Sequence, residues 1–175
     1  MKNLLLRIND RIYMSCIWVA GLAVLGVALI IPWGIFARYV LGTGASWPEP
    51  TAILLMLIFT FVGAAASYRA GAHMSVAVVT DRLPPRQRQI AGIVAQLLMA
   101  TICLFMAVWG TKLCLSTWNQ FMSAIPTLRV GITYMPIPIG GLLTLVFVLE
   151  KLLLGDQSQR RVVRFDLVEE NEGAA

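Results

Sequence analysis

The stretch YMSCIWVAGLAVLGVALIIPWGIFA, residues 13–37, decides the fold, because it contains no Asp, Glu, Lys, Arg or His. A hydrocarbon core about 30 Å thick requires roughly 20 consecutive apolar residues of helix to cross it, and this run exceeds that length. Three further runs meet the same requirement: TAILLMLIFTFVGAAASY (51–68), IAGIVAQLLMATICLFMAVWGT (90–111) and VGITYMPIPIGGLLTLVFVLEKLLL (130–154). Pro32, Pro136 and Pro138 predict bends in the helices that contain them. Composition points the same way: 58% of the residues are hydrophobic and 13% charged, where soluble domains carry about 25% charged residues. The expected fold is an all-α integral membrane domain over residues 1–155, with four transmembrane helices and short interfacial helical segments in the connections. A polar tail, 156–175, follows it.

A basic segment with Lys2, Arg7 and Arg11 precedes the first run, as in a signal peptide. The apolar part is too long for one and no small-x-small cleavage site follows, so the run reads as a retained anchor. Charge placement sets the expected orientation. Lys2, Arg7, Arg11, Arg69, Arg82, Arg86, Arg88, Lys151, Arg160, Arg161 and Arg164 fall on the side of the two termini, and only Arg38, Lys112 and Arg129 on the other. The positive-inside bias therefore puts both termini in the cytoplasm. The net charge of +5 and pI near 9.5 follow from these flanking residues. With no basic stripe interleaved with aromatics, nucleic acid is excluded as a partner.

The apolar cores hold no Asp, Lys, Arg or His at depth. Gln96 is the most polar side chain there, and Glu150 stands towards one end of the last run. Ion and proton pathways need ionisable groups or unwound backbone at mid-membrane, so a self-contained pump is disfavoured. No GxSxG, HExxH or phosphate-binding lysine loop occurs, and paired histidines for haem are missing, since His73 stands alone. Neither enzymatic activity nor a bound cofactor or metal is expected. Cys16, Cys103 and Cys114 lie in or beside apolar runs and read as small buried hydrophobes. Gly63, Ser67 and Gly71 recur at fourth positions, a small-residue stripe for close helix approach within this bundle or with a partner. Gly140 and Gly141 suit a close contact or a proline-relieved bend. The connection 112–129 alternates polar and apolar residues, offering Trp118, Phe121 and Met122 to an interfacial surface.

Three landmarks in fixed order resemble the small four-helix membrane subunit of TRAP (tripartite ATP-independent periplasmic) transporters. RYVLGTGASWPEP (38–50) is similar to that family's Arg-Tyr, short glycine loop and Ser-Trp-x-Glu, carried here by Arg38, Tyr39, Ser46, Trp47 and Glu49. GAAASYRAGAHMSVAVVTDRLPPRQR (63–88) resembles its small-residue helix end, basic residue, Gly-x-His and leucine-proline turn, and MPIPIGGLL (135–143) its last helix start. The chain departs from the pattern at Pro50 and Ala77, where the family often has acidic residues, so a role needing those carboxylates does not carry over. The resemblance implies a non-catalytic scaffold in the bacterial inner membrane, packed against a large multispanning permease and surrounded by membrane lipids. That permease performs sodium-coupled import of an organic acid delivered by a periplasmic substrate-binding protein, with sodium bound in the large subunit. The competing readings are an autonomous four-helix transporter acting as a homodimer and a membrane anchor for a redox enzyme.

Within this frame, Arg38 and Glu49 are expected to pair across the outer turn, with Tyr39 and Trp47 as headgroup-level anchors; the alternative is an ordinary interfacial turn with a snorkelling arginine. Arg69 is accounted for by the favourable position of a cation at a helix C-terminus. His73 is read as a carbonyl cap, a partner contact or a headgroup-facing side chain.

Overall fold

The computed structural model describes residues 2–44, 46–71 and 85–154. His73, Ala77 and the polar tail lie outside the described residues. Each of the first three apolar runs forms a helix longer than the run itself: α1 (Lys2–Tyr39), α2 (Pro48–Arg69) and α3 (Pro85–Ser116). The last run is divided into α4 (Val130–Tyr134) and α5 (Pro136–Leu154). Among the described residues, α1, α2, α3 and the α4–α5 stretch are long and apolar enough to cross a bilayer, as in a membrane protein with four spans.

The prolines act unequally. α1 continues through Pro32, as membrane helices can when neighbouring groups re-satisfy the freed carbonyl. At Pro136 the missing N–H ends one helix and begins another. Met135 N donates to Ile132 O at 3.2 Å in a tightened turn, and Pro136 takes the first position of α5, where it needs no donor.

Two turns depend on glycine. After α1, Thr43 donates from its backbone N and its Oγ1 to Ala37 O, at 3.1 and 2.9 Å, while Gly42 adopts φ +63°. After α2, Gly71 N donates to Tyr68 O at 3.1 Å with φ +73°. Side chains with a Cβ are disfavoured in that left-handed region.

The connection between α3 and α4 corrects one expectation. In place of an interfacial helical segment, it forms a two-stranded antiparallel ribbon, β1 (Phe121–Met122) and β2 (Ile125–Arg129), with Phe121 opposite Arg129. The alternating pattern read in 112–129 has the period of a strand, and Pro126 opposes helix.

α1 packs along α2, α2 along α5 and α5 along α3, which orders the spans α1–α2–α5–α3 with α1 and α3 on the flanks. α5 is the most enclosed span, and the flanking helices leave most of their apolar surface uncovered. Along α1, Trp18, Leu22, Leu25, Leu29, Trp33 and Phe36 are exposed. These faces are stable in lipid or against another apolar surface, and in water they would be a large hydrophobic cost.

Within the bundle, close helix approach occurs elsewhere than the Gly63, Ser67, Gly71 stripe. Ser67 is exposed and Gly71 lies beyond the end of α2. The inward face of α2 is instead Val62, Ala65, Ala66 and Arg69, adjacent to the stripe on the helix. A Cβ on Gly63 would meet only ordinary contacts at 3.7–3.8 Å. Gly140 is the tight position: a Cβ there would fall 2.6 Å from Phe61 Cβ and 3.0 Å from its carbonyl. Gly141 faces α3, with Cys103 O 3.1 Å from an added Cβ. This glycine pair therefore lets α5 sit between α2 and α3. Gly34 similarly meets Pro48, whose Cβ is 2.9 Å from an added methyl group.

Candidate functional site

Polar chemistry gathers at the two ends of the bundle. At the end formed by the α1–α2 turn, Arg38 Nη2 donates to Glu49 Oε1 at 2.6 Å. Local sequence favours both positions. Arg38 occupies the last turn of α1 and Glu49 the first turn of α2, where helix dipoles favour a cation and an anion respectively. The pair is open to its surroundings, with side chains 52% and 68% exposed. In water such a pair contributes only about 0–1 kcal/mol. Beneath it lies a cleft of about 140 Å³, floored by Ile31, Gly34, Ile35 and Pro48. Tyr39 and Trp47 are exposed beside it, as amphipathic rings at a membrane boundary would be.

Ser46 has a longer reach. Its Oγ donates to Ala124 O at 3.1 Å, joining the α1–α2 turn to the ribbon 78 residues away in the chain. The ribbon carries an aromatic platform. The Arg129 guanidinium lies 5.2 Å from the Trp118 ring centre and 5.8 Å from that of Phe121. Lys112 Nζ lies 4.7 Å from the Trp109 ring centre, and Trp109 itself stacks on Phe105.

The opposite end holds a cluster that the sequence reading misses. Arg69 is no exposed C-terminal cation; its side chain is 2% exposed. Its Nε donates to Glu150 Oε2 and its Nη2 to Glu150 Oε1, both at 2.9 Å. This two-point contact fixes the guanidinium plane against the carboxylate. Nη2 also donates to Asp10 Oδ1 at 2.7 Å. Glu150 is as buried as Arg69, whereas the Asp10 side chain is 16% exposed. The Tyr13 and Phe147 rings stand 5.3 and 5.4 Å from the guanidinium carbon. Arg69 thus joins α1, α2 and α5. Around it lies a cluster of buried apolar residues, including Cys16, Val62, Ala65, Ala66 and Val148.

Among the described residues, the polar groups do not converge on one reactive centre. Arg38, Tyr39, Ser46, Trp47 and Glu49 gather at one end, Arg69 lies at the other, and His73 falls outside the described residues. Among the described residues, no group of three or more His, Cys, Asp or Glu side chains could hold a metal ion. Chemically, the arrangement can clamp helices and present surfaces.

The sequence comparisons agree with one another. The family model described as tripartite ATP-independent periplasmic transporters, DctQ component, matches residues 27–157. A Haemophilus influenzae protein, provisionally named a TRAP transporter small permease protein, is 25% identical over 159 residues. The match covers 87% of this chain and 92% of that relative.

Proposed function

Because this chain belongs to the DctQ-component family of tripartite ATP-independent periplasmic transporters, we propose that it is the scaffold subunit of such a transporter. The family is one of transporter subunits and not of enzymes. In this reading the four spans pack against a large permease subunit in the bacterial inner membrane. They enlarge the part that stays fixed while the permease moves its cargo, an organic acid delivered by a periplasmic binding protein. Sodium coupling belongs to the large subunit, and this chain binds no cofactor.

One observation carries the proposal: among the described residues, each carboxylate of the bundle is paired with an arginine at one of its ends, while its flanking apolar faces are uncovered. Translocation requires polar groups that bind and release an ion or solute within the span. Arg69, Glu150 and Asp10 instead hold one another at 2.7–2.9 Å. Bracing requires only a rigid body and an apolar face. The excess of basic residues on the side of the termini supports cytoplasmic termini, with the Arg38 end facing the periplasm.

Affinity purification of the tagged chain from its native host tests the proposal. A large multispanning permease is expected to co-purify in fixed ratio. Recovery of the chain alone or as a homodimer, with the permease intact in the same membrane, refutes it.

A further inference from the structure

The Arg38 end carries three cations, Arg38, Lys112 and Arg129, against one carboxylate, Glu49, among the described residues. Glu49 is engaged by Arg38 at 2.6 Å. Arg129 forms no ion pair with a carboxylate among the described residues, and its recorded side-chain contacts are with the Trp118 and Phe121 rings. It is nevertheless firmly placed. Arg129 pairs with Phe121 across the ribbon, Val130 N donates to Gln120 O at 2.9 Å, and Ser46 Oγ secures the ribbon at Ala124 O. Trp118 is itself packed against Gly131, where an added Cβ would lie 3.1 Å from the indole. A guanidinium held over ring faces makes those contacts without spending its N–H groups, and its planar fork matches the two oxygens of a carboxylate.

We propose that Arg129 anchors a docking surface, made by the ribbon and the α1–α2 turn, for a carboxylate-bearing patch on the soluble binding protein. The inference rests on the reading that this end of the bundle faces that protein. Charge complementarity selects the occupant, because the face is net positive and its one carboxylate is engaged. A protein carboxylate is favoured over a lipid phosphate. The fork sits on a ribbon built outside the spans and is held in orientation, whereas headgroup attraction requires only a point charge such as Lys112. The ring contacts hold the guanidinium in place, which lowers the ordering cost of docking.

The test is solute uptake by vesicles containing this chain with its permease, titrated with the purified binding protein. Arg129→Gln is expected to raise the half-saturating concentration of binding protein about tenfold or more. Arg129→Lys, which keeps the charge and loses the fork, should fall between it and the wild type. Added salt should raise the wild-type half-saturating concentration and affect Arg129→Gln less; the wild-type arm does not depend on the variant folding. A flat wild-type salt response, or half-saturation unchanged in Arg129→Gln, overturns the proposal. So does a loss that follows the anionic-lipid content of the vesicles and not the binding protein, which would identify a headgroup site. Failure of the wild-type chain to join the permease would instead overturn the scaffold reading.

Discussion

Arg69→Ala is the most informative perturbation of the fold. It removes a guanidinium shared by two carboxylates and leaves Glu150, 2% exposed, without its two-point partner. Removing one member of a buried ion pair typically costs about 3–5 kcal/mol, because the remaining charge has neither water nor a counterion. Asp10 contributes less to this penalty, since its 16% exposure lets it rehydrate. Asp10→Asn should therefore cost only about 1 kcal/mol, the scale of one weakened hydrogen bond. Replacing both buried members, Arg69→Met with Glu150→Leu, should recover most of the loss, because apolar packing can substitute for a buried pair. Reversible unfolding in mixed micelles, followed by fluorescence of the chain's five tryptophans, measures each difference. An Arg69→Ala chain that unfolds within about 1 kcal/mol of the wild type, below the range for a broken buried pair, would refute the assigned ion pairing. A double variant no more stable than the single one would refute it equally.

Three further outcomes follow from the geometry. Arg38→Glu and Glu49→Arg should each cost no more than about 1 kcal/mol in the same unfolding assay, given the openness of the pair. Their combination should regain what either loses, and a double variant no better than the singles would contradict direct pairing. Gly140→Ala should destabilise by roughly 1–3 kcal/mol through overpacking against Phe61, whereas Gly63→Ala should be nearly silent, so equal effects would refute the assigned helix contacts. Cys16, Cys103 and Cys114 are all buried, so maleimide labelling of the folded chain should be slow and should become complete on unfolding.

The spans were legible because 20-residue apolar runs are a direct consequence of bilayer thickness. The pairing of Arg38 with Glu49 was legible because a short turn brings the two residues together whatever the rest of the chain does. The Arg69 cluster was not, since its members lie 59 and 81 residues from the arginine. A signal was nevertheless present: in antiparallel spans, Asp10 just before the first run, Arg69 just after the second and Glu150 near the end of the fourth share one depth. Charges matched in depth within apolar surroundings are strong candidates for mutual pairing. The small-residue stripe is not where the helices of this bundle come closest, because spacing identifies a face without saying which neighbour it meets. The true close approaches, Gly140 with Phe61 and Gly34 with Pro48, depend on helix order. The ribbon was hidden because alternation over a few residues competes with helix in short connections.

Solute uptake by sealed vesicles, compared for this chain alone, the permease alone and the two together with the binding protein, probes the scaffold role most directly. Vesicles with this chain alone should take up no more solute than empty ones, and full sodium-driven uptake should require all three proteins. Flux through this chain by itself, or a permease equally active without it, would contradict that role.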